Sequence, residues 1–474
     1  MTAREIVIDP VTRVEGHGKI TIQLDEKGKV SNARFHVTQF RGFEKFCEGR
    51  LFWEMPSIMP RICGICSISH GLASAKACDA ILGVEIPDTA RKLRELLQAG
   101  ELIQSHALHF FYLASPDLLL GMDADPKDRN VFRIIDERPE LAKMGIGLRR
   151  FGQTIFERLS GARIHIDYPI PGGVSGSLSA KDRDFLVAEA KQQLKAAVTG
   201  LELARNYIEK GGREVEGFSK FRSMYMGLVG DGGNLEVYDG RLRLKSADGK
   251  ILEEVPSEQY ASIINEGVEG WSYLKFPYYS KQAFPDGMYR VGPLGRLNVC
   301  DSIDTPLAKG AAKEFKAAGG NRPVHSTMFY HWARMIELVH FMEKAQQILE
   351  DPSICSTDIV RSSQPRNTEG IGVTEAPRGT LIHHYHTNER GVITRVNLIV
   401  ATGHNNLAMN RSVMEVARQY IDGGQLSEGV LNKFEAAIRC YDPCLSCSTH
   451  AVGRMPLTVD VLSPSGKLVQ TYSR

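Results

Sequence analysis

β-Branched runs open the chain. Ile6-Val-Ile8 and Lys19-Ile-Thr-Ile-Gln23 are followed by alternation from Lys29 to Val37 after a turn at Glu26-Lys-Gly28, so residues 5–40 read as β structure. The period then changes to that of a helix. Phe43, Phe46 and Cys47 stand at helical spacing between Gly42 and Gly49, and residues 67–81 read as a helix of small residues that packs closely on its neighbours. Leu93, Leu96, Leu97, Leu102, Ile103 and Leu108 predict a long core helix over residues 88–113. A second spans 181–210, after the turn at Pro171-Gly-Gly173. A third spans 327–349, with Met335, Ile336, Val339, Met342 and Ile348 as its apolar set. Residues 218–291 are the least helical; short runs such as Leu242-Arg-Leu244 between glycines predict a β-containing insertion. Residues 379–403 read as strand, turn at Asn388-Glu-Arg-Gly391, strand, and helices over 410–420 and 426–440 follow.

The fold class expected from this pattern is α+β, mainly α-helical, with a long-helix core and small sheets at the N-terminus and in insertions. Length alone suggests two or three domains for 474 residues. The chain has no repeat, low-complexity tract or Pro/Ser-rich linker, so residues 1–450 are expected to form one interlocked body. A formal net charge of +2 offers no basic field for nucleic acid. No apolar run approaches the roughly 18 residues of a membrane span, and Asp9 falls where a signal peptide needs its apolar region. Nine cysteines, an odd number in a long chain, argue against a disulfide framework. The expectation is a cytoplasmic protein with reduced thiols.

Chemistry concentrates in two Cys-x-x-Cys stretches at opposite ends: Arg61-Ile-Cys63-Gly-Ile-Cys66 and Asp442-Pro-Cys444-Leu-Ser-Cys447. Zinc modules usually bring two such pairs within about 15–20 residues; here most of the chain lies between them. Four thiolates suit zinc, copper(I), iron–sulfur or another soft metal centre, and both pairs adjoin long apolar helices rather than a polar, turn-rich module. Cys47, Cys78, Cys300, Cys355 and Cys440 stand in apolar or isolated contexts and read as small buried hydrophobes. Glu15 is a proton shuttle if buried beside a metal and a surface acid otherwise. Arg378, flanked by Pro377 and Gly379, has the look of a loop arginine. In His383-His-Tyr-His386, neighbouring histidines on a strand point to opposite faces, so all three cannot meet one ion.

Taken together, Arg61-Ile-Cys-Gly-Ile-Cys66 with His70 and Asp442-Pro-Cys-Leu-Ser-Cys447 with His450 resemble the two signature motifs of nickel–iron hydrogenase large subunits. Asp9-Pro-Val-Thr-Arg-Val-Glu-Gly-His17, Arg41-Gly-Phe-Glu44 and Glu375-Ala-Pro-Arg-Gly379 fall where that family has its other motifs. The segments 41–49 and 440–450 look most like the cytoplasmic, NAD-reducing bidirectional branch. The resemblance implies Cys63 and Cys444 as terminal nickel ligands, and Cys66 and Cys447 as bridges to an iron carrying CO and cyanide. It implies Glu15 as acceptor of a proton from Cys444. It places Arg378 over the open face beside Pro377, anchored by Asp117 and Asp442, and Thr402 on a cyanide nitrogen. It gives His70 a hydrogen bond near the Cys66 thiolate. It assigns a magnesium ion to Glu44, the Leu398 carbonyl and His450. The family is usually clipped after the position of His450, which makes residues 451–474 a candidate maturation tail for an endopeptidase.

The implied activity is reversible oxidation of H2 to protons and electrons. Beyond the two pairs there are no cysteines in motif form for an iron–sulfur relay, and no Gly-x-Gly-x-x-Gly between strand and helix for a dinucleotide. Partner subunits must therefore bring both: a small iron–sulfur subunit, then a diaphorase module with FMN and NAD. Three other readings compete: a deazaflavin- or polysulfide-linked hydrogenase, a metal-free quinone-site subunit like that of respiratory complex I, and a four-thiolate zinc protein.

Overall fold

Helices Asp88–Leu108, Ala180–Gly217 and Phe329–Glu350 realise the three long apolar patterns and build the core. The computed structural model describes residues 4–421 and 427–449, with the backbone of a hairpin formed by Thr458–Leu462 and Leu468–Ser473. Half of the chain is helical. Phe329–Glu350 lies between the other two long helices and is buried almost all round, as expected for a helix apolar on every face. The first long helix ends at Leu108 and continues as a wider π-helical turn, His109–Ala114, rather than as α-helix to residue 113. A further long helix, Pro139–Ser160, lies outside the sequence-based expectation and packs along Asp88–Leu108. Its buried face runs at helical spacing through Leu148, Phe151, Ile155 and Leu159, with Gly145 and Gly152 at the points of closest approach.

The predicted β regions are found as separate small sheets. Arg4–Ile8, Gly18–Leu24 and Val30–Val37 form an antiparallel N-terminal sheet. The insertion holds a four-stranded sheet in the order Tyr289–Arg290, Met224–Val229, Arg241–Lys245, Ile251–Pro256, and a hairpin of Ile264–Val268 with Lys275–Tyr279. The expected pair of strands over 379–403 is Gly379–Thr387 and Ile393–Ile399, and a third strand, Glu369–Ala376, joins them. Among the described residues, no helix is long and apolar enough to cross a membrane.

Two packing arrangements position the chemistry. Helix Ser67–Leu82, which starts immediately after Cys66, lies directly on strand Glu369–Ala376. Its small side chains permit the approach, and so does Gly372: a Cβ there would stand 1.9 Å from the Ala73 carbonyl oxygen. Next, Arg296 joins three segments through fully buried ion pairs, with Glu337 on the central helix at 2.6 Å and Glu375 at 2.8 Å. The same guanidinium donates to the carbonyls of Ala376 and Pro377, fixing the turn that presents Arg378. Glu337 also meets His106 at 3.0 Å.

Gly372→Ala must push helix Ser67–Leu82 off the sheet. An overpacking cost of about 1–3 kcal/mol is expected, read as a lower denaturation midpoint together with reduced metal content of the purified protein.

Candidate metal centre

Four sulfurs converge although the two pairs lie 381 residues apart in sequence. Cys63 and Cys444 Sγ atoms are 3.3 Å apart, Cys66 and Cys447 3.3 Å, and Cys444 and Cys447 2.7 Å. All four are buried and lie within 4.8 Å of one another. Their surroundings are apolar, with Met55, Met59, Ile62, Ala376, Leu381, Val400 and Ala401 in the same cluster. Such a set cannot ionise freely. Hydrogen bonds from the other thiols, first from Cys444, hold the Cys63 pKa well below the usual thiol value. Burial pushes Cys444 and Cys447 well above it, and Cys66 rises to about 11 within the same network. One negative charge is thus easily accommodated and further ones need positive charge.

The second pair is held by backbone contacts to the N-terminal segment. Glu15 bridges Cys444 in parallel, and the Leu445 amide donates to the Glu15 carbonyl at 3.0 Å. Gly16 makes this approach feasible: its φ is +84°, and a Cβ would meet Leu445 Cβ at 2.8 Å and Ser446 N at 2.9 Å. The Glu15 carboxylate accepts from the Ser446 amide at 3.2 Å and from the Ser446 hydroxyl. It is half-buried against the motif, not a free surface acid. Thr402 Oγ1 accepts from the Cys444 amide at 2.9 Å, which leaves its hydroxyl hydrogen to donate elsewhere.

Arg378 is buried. It donates through Nε to the Asp442 carbonyl and through Nη2 to Asp442 Oδ1 at 3.0 Å. Burial opposes its charge, yet Asp442, then Cys444, Cys66 and Cys63, more than offset this and raise its pKa. Its Nη1 and Asp442 Oδ2 are buried without hydrogen-bond partners among the described residues. An orphaned donor beside four thiolates is what a metal centre carrying small anionic acceptor ligands requires. Four converging thiols fit a soft transition-metal centre.

The other implied roles divide. Asp117 does not anchor Arg378: it pairs with Arg13 and Arg439 and accepts from Asn432 at 3.0 Å. Burial would raise its pKa, but Arg439 and Arg13 outweigh that and lower it. Of the two expected anchors, Asp442 is the one that holds the arginine side chain. His70 Nδ1 meets His383 Nε2 at 3.0 Å, and His383 in turn meets the Tyr385 hydroxyl at 2.7 Å. Burial lowers the His70 pKa to about 4, so the imidazole is neutral at pH 7. Glu44 faces an ammonium rather than open oxygens: its Oε1 accepts from Lys275 Nζ and from the Leu398 amide, both at 2.9 Å. Leu398 thus presents its N–H to Glu44, and Lys275, also bonded to Asn397 at 2.8 Å, supplies the positive charge there. Of the three expected magnesium ligands, Glu44 is held by Lys275 and the Leu398 amide, and His450 lies outside the described residues.

Sequence reasoning missed Glu101. It sits on helix Asp88–Leu108 and accepts from the Ile68 and Ser69 amides at 2.8 and 2.9 Å. These are orphan donors at the first turn of helix Ser67–Leu82, whose N-cap, Cys66, offers no side-chain cap. Burial raises the Glu101 pKa to about 8. Glu101 and Arg296 come from remote segments with no spacing signal, and only the fold brings them together.

The family model described as Nickel-dependent hydrogenase matches residues 41–131 and 185–450, and one described as HoxL-like matches residues 5–40. The chain is 44% identical to the NAD-reducing hydrogenase HoxS subunit beta of Cupriavidus necator, over the full length of both. It is 47% identical to the vhu F420-non-reducing hydrogenase chain of Methanocaldococcus jannaschii, over 87% of this chain and 99% of that one. A crystal structure of an NAD+-reducing [NiFe]-hydrogenase in the H2-reduced state superimposes with a TM-score of 0.92 at 45% identity, covering 95% of this chain and 100% of the other.

Asp117→Asn leaves two arginines without their shared carboxylate. A loss of about 3–5 kcal/mol is expected, measured by denaturation, with Asp442→Asn rather than Asp117→Asn altering the metal centre's spectrum.

Proposed function

This chain belongs to the nickel-dependent hydrogenase family, and from that premise we propose how its residues divide the work of reversible H2 oxidation. The observation that carries the reading is the convergence of both cysteine pairs into one buried set beneath Arg378. In this reading Cys63 and Cys444 would hold nickel, while Cys66 and Cys447 would be shared between nickel and iron. When bound, the metal pair supplies Lewis-acid and redox chemistry for splitting H2.

Glu15 pairs with Cys444 through the backbone, and its carboxylate is held by Ser446, two residues further along the same motif. A proton on Cys444 Sγ passes to Glu15, which the Ser446 hydroxyl and amide orient. Arg378 Nη1 and the Thr402 hydroxyl would donate to small anionic ligands of the iron, cyanide beside CO in this reading. Asp442 holds the guanidinium in place, and the apolar wall excludes water. His383, backed by Tyr385, sets the orientation of His70 behind the first motif.

Electrons leave through a small iron–sulfur subunit to a flavin and NAD module in the cytoplasm. The relative in Cupriavidus necator, NAD-reducing by name and matched over its whole length, supports that acceptor. The Methanocaldococcus relative is F420-non-reducing by name, which weighs against a deazaflavin acceptor. Residues 451–474 act as a maturation tail, so the active enzyme should show an intact mass ending at His450.

Infrared spectroscopy of the purified complex is expected to show CO and cyanide stretches, with nickel and iron equimolar by elemental analysis. Zinc alone would overturn the reading. Glu15→Gln should keep the infrared bands while slowing turnover by about 10²–10⁴-fold, the usual value of a positioned acid or base. Unchanged turnover would remove Glu15 from the proton path.

A further inference from the structure

Strand Gly379–Thr387 carries chemistry on both faces. His383 points inward to His70, whereas His384 and His386 fall together on the opposite face, as the two-residue period requires. The antiparallel register then adds a third group. Glu369 is the direct cross-strand partner of His386, so its carboxylate lies on the same face, one step from His384. Each of the three offers a ligand atom, and these atoms all lie within 4.8 Å of one another. His384 Nε2 meets Glu369 Oε1 at 2.7 Å, and the two imidazoles stand 4.5 Å apart between ring centroids. A cavity of about 230 Å³ opens beside them, lined by Tyr260, Ile264, Glu266, His384, His386 and Arg395.

We infer that Glu369, His384 and His386 form a second metal site, remote in role from the cysteine centre, for a divalent ion of the zinc type. Two imidazoles and a carboxylate are the ligand set of open zinc sites, with a position left for water, and imidazole selects zinc, nickel or copper over magnesium and calcium. Tyr260 supplies the outer support such a site needs. Its hydroxyl lies 2.8 Å from His384 Nδ1 and is also approached by Asn397 Nδ2. With Nε2 on the metal, the ring proton resides on Nδ1 and is donated to Tyr260, which fixes the ring. Burial lowers the His384 pKa, which keeps a lone pair available at neutral pH. Arg395, paired across the strand with His386, brings a positive charge to this face of the trio and opposes binding.

The consequence is mechanical. The ion would clip the start of strand Glu369–Ala376 to the end of strand Gly379–Thr387, and through Tyr260 to the 3₁₀ turn Ser257–Ser262 of the insertion. Titration of the intact hydrogenase complex with Zn²⁺ against a chromophoric chelator should reveal one equivalent bound beyond the resident metals, with a rise in thermal midpoint. His386→Ala should lose that equivalent and the rise while keeping its H2-oxidising activity, which reports a folded enzyme. Tyr260→Phe, which removes no ligand, should bind Zn²⁺ about 10–100-fold more weakly. Absence of the extra equivalent in the parent complex, or equal binding by parent and both variants, would overturn the site.

Discussion

Four sulfurs packed inside 4.8 Å of one another, away from water, set the constraint on which the structure depends. Thiolates repel at this range in a low-dielectric interior, so the arrangement holds together either as a largely protonated set or around cations. The protein prepares for the second state. Arg378 brings a guanidinium to the sulfurs, Asp442 holds that guanidinium, and Nη1 keeps an unused donor. The rest of the fold serves these positions. Arg296 locks the turn before Arg378, Glu101 satisfies the amides beside Cys66, and Thr402 satisfies the amide of Cys444.

Polar groups carry that support, and each is buried with its partners. Arg296 with Glu337 and Glu375 is fully inside, and buried ion pairs add little net stability compared with apolar substitutes. Their value here is geometric: a planar fork with fixed acceptors defines where a strand ends and where the next side chain points. Asp117 does the same for the segment before the second motif by tying Arg13 near the N-terminus to Arg439 on helix Glu428–Cys440.

Periodicity made the long helices legible, because Asp88–Leu108, Ala180–Gly217 and Phe329–Glu350 repeat apolar residues over many turns. Helix Pro139–Ser160 carries the same spacing, from Ala142 through Leu148 to Leu159, whereas strand Glu369–Ala376 buries Gly370 and Gly372, where side-chain hydrophobicity carries no signal. The cysteines were legible by spacing and residue type, and the family resemblance supplied Glu15, Arg378, Asp442 and Thr402. Asp117 pairs with other arginines than the one the resemblance implies. Arg13 and Arg439, from segments far apart in sequence, hold it instead. Lys275 beside Glu44 was equally invisible, since a hairpin of the insertion delivers it.

The parallel bridge between Glu15 and Cys444 joins the first strands of the polypeptide to its last motif. The direction of synthesis therefore orders the assembly. At about 5–20 residues per second, the ribosome exposes Cys63 and Cys66 roughly 20–80 s before Cys444 and Cys447 emerge. Throughout that interval the N-terminal pair lacks its lid, and Glu15 lacks the Ser446 amide and hydroxyl that orient it. The centre cannot close before the last motif is made, and a nascent chain passes through a stage in which half of its ligands stand open.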